Sequence, residues 1–150
     1  MTIEKEIQQP KFRNEHQKAG INLIYTYNWA NEQMKKILDR YDITSQQFNI
    51  LRILRGAHGP LSTLQIRERM LDKMSDTSRI VDRLIKKGLV KKNICKTDRR
   101  LVDVIITNKG KKLLEQLDGC NREMDNVLNN LSVAEAKSLN ELLDRIRNGG

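Results

Sequence analysis

Long apolar runs are missing from this chain of 150 residues, which is 38% hydrophobic with a mean hydropathy of −0.63. No stretch approaches the roughly 18 consecutive apolar residues that a bilayer span needs, so a membrane protein is excluded and a soluble one expected. Residues 1–14 are polar and mixed in charge, without the apolar centre of a secretory signal, which places the protein in the cytoplasm. Cysteine and histidine are scarce too. Cys95, Cys120, His16 and His58 stand at no metal-ligand spacing, which argues against a metal centre and a disulfide framework. A glycine-rich phosphate loop and a nucleophile motif are also absent, so neither an enzyme nor a cofactor is expected.

What the chain does have is positive charge, unevenly placed. The net charge is +9, and residues 67–100 hold 12 of the 28 Lys and Arg but 5 of the 19 Asp and Glu, which accounts for seven of the nine. Such a local excess implies a partner with repeated negative charge, such as a nucleic-acid backbone, where counterion release drives binding. A solvated lysine-rich face has the same composition, so the pattern around the charge must decide.

Ile24, Tyr27, Ala30, Met34, Ile37, Leu38 and Tyr41 recur three or four residues apart, which predicts a first long helix within residues 15–41. Thr44 with Gln47, and Ser62 with Gln65, have the capping-box spacing and open a second and a third helix. A fourth begins near Ser75 and ends at Lys87, because Gly88 suits the left-handed conformation that closes a helix. Two runs rich in Val and Ile, residues 89–95 and 101–107, flank the polar residues 96–100 and predict a β-hairpin with Val102, Val104 and Ile106 on one face. From Asn108 one long helix is expected to align Leu113, Leu117, Cys120, Met124, Val127, Leu128 and Leu131. Ser132 with Glu135 then caps a last helix through Arg147.

The expected fold is mainly α with a small β-hairpin wing: a winged helix-turn-helix over residues 44–107 within a single domain of residues 1–150. The segments 15–41 and 108–147 carry apolar stripes longer than so small a module can cover, and are expected to form a dimerisation region. In such a unit the last of the three short helices enters the major groove of DNA and the hairpin flanks it.

On that helix Ile80, Val81, Leu84 and Ile85 must face the core, and Ser75, Arg79, Asp82 and Lys86 share the opposite side. Arg79 can take both acceptors of a guanine edge with its forked guanidinium. Ser75, Asp76 and Ser78 fall in the first turn, where free amides and short side chains suit phosphates or base edges. Asp76 and Asp82 would repel phosphate, so their expected work is to orient an arginine, cap a helix or accept from a cytosine amine. Lys96, Arg99 and Arg100 load the hairpin tip with charge suited to a minor groove. Asp98 either holds Arg100 in place or serves as an ordinary turn residue.

The run Ser75, Asp76, Thr77, Ser78, Arg79, Ile80, Val81, Asp82, Arg83, Leu84, followed by Lys87, Gly88, Leu89, Val90, resembles the recognition helix of the MarR family of bacterial regulators. Asp98, Arg99 and Arg100 resemble that family's Asp-x-Arg wing tip, and Ile106, Thr107, Asn108, Lys109 and Gly110 its strand-to-helix junction. The resemblance implies an obligate homodimer that binds double-stranded DNA at a pseudo-palindromic operator and acts as a ligand-responsive repressor. It places Ser75, Asp76, Ser78 and Arg79 in the major groove and Arg100, supported by Asp98, in the minor groove. It also implies a small amphipathic or phenolic effector held where the dimerisation helices meet the reading module. Tyr25, Tyr27, Trp29 and His58 are the candidate lining residues, unless they are simply core aromatics. Two alternatives stay open: a nonspecific or architectural nucleic-acid binder, and an oxidant sensor acting through Cys95, whose lysine-rich surroundings favour the thiolate. Cys120, on an apolar stripe, reads as an inert packing residue.

Overall fold

The longer helices in this chain start where a side chain satisfies amides that the first turn leaves free. In the computed structural model, which describes residues 1–94 and 102–148, a short α1 (Ile3–Glu6) precedes α2 (Glu15–Asp39), whose Asn14 cap accepts from the Gln17 amide. Thr44 and Gln47 close the expected capping box ahead of α3 (Ser45–Ala57), and Ser62 and Gln65 close another ahead of α4 (Thr63–Arg69). Asp76 caps α5 (Thr77–Lys86).

After α5 the chain reverses at Gly88, whose φ of +74° is the left-handed conformation expected there. The Gly88 amide returns to the Ile85 carbonyl and the Leu89 amide to that of Leu84, at 2.9 and 3.0 Å. Three antiparallel strands follow the order β1 (Leu61–Ser62), β3 (Val102–Ile106), β2 (Val90–Ile94). Val90 lies opposite Ile106, Lys92 opposite Val104, and Leu61 opposite Val104 on the other edge. β1 was not anticipated, because two residues show no alternation; it forms because Leu61 buries its side chain beside Val104.

The expected single helix from Asn108 to Leu131 is instead divided. α6 (Asn108–Asp118) ends at Gly119, α7 (Asn121–Asp125) follows, and a 3-10 turn (Asn126–Leu128) leads toward α8 (Val133–Arg147). The amides of Gly119 and Cys120 bond three residues back, to Gln116 and Leu117, which tightens the last turn of α6. Glycine costs a helix interior about 1 kcal/mol relative to alanine. Cys120, at φ −96° and ψ 2°, leaves the helical region altogether. The apolar stripe continues across this break, so periodicity did not reveal it. Within α6 it is Leu114, not Leu113, that is fully buried beside Leu117.

A single core joins the last turn of α2 to α3, α4, α5, the sheet and α6 through Leu38, Ile50, Leu51, Ile66, Val81, Leu84, Val104, Leu114 and Leu117. The outer parts of the terminal helices lie beyond it. Ile24 and Tyr27 of α2 are exposed, and α8 buries none of its 15 residues.

Gly110 is where α6 presses against the sheet: a Cβ there would meet the Leu89 carbonyl oxygen and lie 2.7 Å from Ile106 Cγ1. Gly110→Ala is therefore expected to lower stability by about 1–3 kcal/mol, the usual cost of overpacking, read as a drop in urea midpoint with an unchanged slope. An unaltered midpoint would show that the junction yields without cost.

Candidate nucleic-acid interface

Helix α5 is held by one side. Val81 and Leu84 are fully buried, Ile80 and Thr77 nearly so, and Ile85 packs partly against the same core. Ser78, Arg79, Asp82, Arg83 and Lys86 are left in solvent. Arg79 and Lys86 have no side-chain partner among the described residues.

The two carboxylates on this helix do separate work. Asp76 is the N-cap, its Oδ1 accepting from the Arg79 amide at 3.1 Å. Asp82 takes the Lys92 ammonium of β2 at 3.0 Å, tying the wing strand to the helix. Neither is paired with an arginine among the described residues. Ser75 lies in the turn before α5, not in the helix, and its hydroxyl donates to the Asp72 carbonyl at 2.8 Å. The start shifts to Thr77 because Asp72 organises that turn, accepting the Met74 amide at 2.9 Å, and leaves Asp76 to cap.

Some of the basic charge is consumed internally. Lys87 Nζ donates to the Asp42 carbonyl and, at 3.0 Å, to Gln47 Oε1, bracing the C-terminus of α5 against the start of α3. Lys109 Nζ donates to the Lys87 carbonyl at 2.8 Å. Such lysines complement the negative end of a helix. Lys96, Asp98, Arg99 and Arg100, with Cys95, lie outside the described residues.

Between α4 and the start of α5 is a cleft of about 470 Å³ lined by Thr63, Leu64, Arg67, Met74 and Ser75 to Ser78. Sequence reasoning passed over Leu64, Arg67 and Met74 as site residues, since only the turn between the helices brings them beside Ser78. Another unforeseen link is Asn49, buried on α3, whose Oδ1 accepts the Leu71 amide at 3.0 Å and fixes the end of α4.

The candidate effector residues are not brought together. Tyr25 Oη donates to Glu6 Oε2 at 2.9 Å, and that bond, with the carboxylate charge, raises the phenol above its ordinary pKa. Trp29 lines a cleft of about 470 Å³ with Ile37, Arg40 and Val127. His58 is the left-handed C-cap of α3, at φ 56°, and lines neither that cleft nor the next. Tyr27 lines a larger one, about 630 Å³, between α2 and the start of α3, with Asn31, Leu38, Ile43, Asn49 and Leu71. An adjoining apolar recess adds Met34, Phe48 and Met124. Cys120 is half-buried at the α6–α7 break, 3.4 Å from Tyr41 Oη, and this contact raises the Tyr41 pKa. Among the described residues no three His, Cys, Asp or Glu gather as a metal site, and no helix is long and apolar enough to cross a membrane.

Comparison with known proteins gives a consistent picture. Residues 43–102 match the model of the MarR family. The HTH-type transcriptional regulator FarR of Neisseria gonorrhoeae is 30% identical over 105 residues, 70% of this chain and 71% of that protein. The crystal structure of a MarR transcription factor from Planctomyces limnophilus is 32% identical and superposes with a TM-score of 0.68 over 89% of this chain and 98% of that one. A mutant E. coli MarR complexed with operator DNA shares the fold at a TM-score of 0.81 and 24% identity, over 91% of this chain and 98% of that one.

Thr77 Oγ1 is buried and finds no hydrogen-bond partner among the described residues. Thr77→Val, which removes the hydroxyl and keeps the shape, is expected to raise stability by about 1 kcal/mol in thermal unfolding. A lower midpoint would mean that the hydroxyl is satisfied in solution.

Proposed function

Because this chain belongs to the MarR family of winged helix-turn-helix transcriptional regulators, we propose that it is a ligand-responsive repressor that binds a pseudo-palindromic operator as a homodimer. The observation that carries this reading is the pose of α5: its apolar side is locked in the core while Ser78, Arg79 and Lys86 are exposed on the other. In this reading Arg79 takes a guanine edge, Ser75, Asp76 and Ser78 meet the backbone or base edges around the helix start, and Lys86 meets a phosphate. Arg100 enters the adjacent minor groove, with Asp98, Arg99 and Lys96 at the same wing tip, a role that rests on the family resemblance.

Dimerisation is supported by the terminal helices. A lone 15-residue helix without a single fully buried residue is marginal in water, yet α8 carries Leu139, Leu142 and Ile146 along its length, exposed by 36%, 48% and 65%. Apolar surface of this kind marks an association site. A second copy with the same stripes gives the two-fold symmetry that sets two recognition helices about 34–36 Å apart, one turn of DNA. The cleft between α2 and α3 is the place for a small amphipathic or phenolic effector, with Tyr27 and Asn31 rather than His58 as its polar contacts.

Two measurements test the reading. Duplexes selected from a random library should bind about 10³-fold or more tighter than scrambled ones, with affinity falling as salt rises. Arg79→Ala should lose about 5- to 150-fold of that preference, whereas Lys86→Ala should weaken all duplexes alike. Equal affinity for every duplex would instead favour a nonspecific binder. In sedimentation, wild type should run as a dimer and the double variant Leu142→Glu, Ile146→Glu as a folded monomer without operator binding. A wild-type monomer that still binds a palindromic site would overturn the assembly.

A further inference from the structure

We infer that Met74 and Leu64 read thymine methyl groups in the major groove, a base preference that rests on the DNA-binding reading above and goes beyond it. Met74 is 92% exposed and Leu64 64%, although both are large and apolar. They line one cleft at the mouth of α5, beside Arg67 and Ser78. The backbone at Met74 is not loose, since its amide is held by Asp72 Oδ1 and the next residue, Ser75, bonds the Asp72 carbonyl. The side chain therefore projects from a fixed point. Thr77, whose buried hydroxyl finds no partner among the described residues, lines the same cleft.

The surroundings indicate what covers these side chains. Arg67, Arg79 and Arg83 are exposed and without side-chain partners among the described residues, so the field around the cleft draws a polyanion. The patch is continuous with the proposed reading face, and the apolar stripe of α8 offers a second copy its surface elsewhere. On the floor of a major groove the apolar feature that a base edge presents is the 5-methyl group of thymine. Methionine, unbranched and polarizable, adapts well to such a contact.

The test uses the full chain and the tightest duplex it selects from a random library. That duplex is remade with deoxyuridine replacing thymine one position at a time, which removes one methyl and leaves every hydrogen-bonding group. Wild type should lose about fourfold in affinity at one or two positions in each half-site, the worth of one buried methyl. At those positions Met74→Ala or Leu64→Ala should bind the thymine and uracil duplexes alike. Both variants change exposed side chains, so folding is preserved, and circular dichroism verifies it. Tight, specific binding that no uracil substitution alters would overturn the inference and leave the regulator reading intact. So would uracil losses that persist undiminished in both alanine variants. Failure to select any sequence at all would sink the regulator reading and the inference together.

Discussion

The arrangement of the proposed reading surface depends on a helix of 10 residues buried along one side, for the position of every outward side chain on α5 follows from where Ile80, Val81 and Leu84 are fixed. Each such side chain contributes roughly 1.5–3 kcal/mol on leaving water, and together they leave the helix little freedom to roll. Gly88 completes the constraint. Its left-handed turn lets Leu89 and Val90 re-enter the core directly after the helix ends, so α5 and β2 share one rigid corner. The Asp82–Lys92 pair then bridges that corner from outside. It is half-exposed and adds little stability by itself, but it turns a carboxylate that would repel DNA into a fastening for the wing.

Charge in this chain is accordingly of two kinds. Lys87, Lys92 and Lys109 end on carbonyl or carboxylate oxygens of the fold, whereas Arg67, Arg79, Arg83 and Lys86 end in solvent without side-chain partners among the described residues. The second kind is available to phosphates without first breaking a bond to another described side chain. Composition alone counts all of them equally.

Outside the shared core, polar contacts tie α3 and the end of α2 to the C-terminal helices. Arg55 grips Asp118 through both oxygens, at 2.8 and 3.2 Å, Arg40 pairs with Glu123, and Tyr41 touches Cys120. These contacts straddle the break between α6 and α7, whereas the cleft lined by Tyr27 opens between α2 and α3. A body filling that cleft would touch α2 and α3 at once, so in the proposed dimer its occupancy could bias the placement of the reading module.

Local signals in the sequence were enough to determine most element starts, since capping at Thr44, Ser62 and Ser132, and the reversal at Gly88, involve neighbours within a few residues. The apolar spacing on α5 likewise determined which face turns outward. Tertiary structure alone decided where the long C-terminal helix breaks, because an apolar stripe has the same period on either side of a kink. It also decided that β1 exists, since two residues become a strand only when Val104 lies alongside. The same holds for the candidate site: Arg79 and Lys86 were legible from one helix, but the cleft that joins Leu64 to Met74 spans two. The scattering of Tyr25, Trp29 and His58 was likewise illegible, because helical spacing states which side a residue is on and not what stands opposite it.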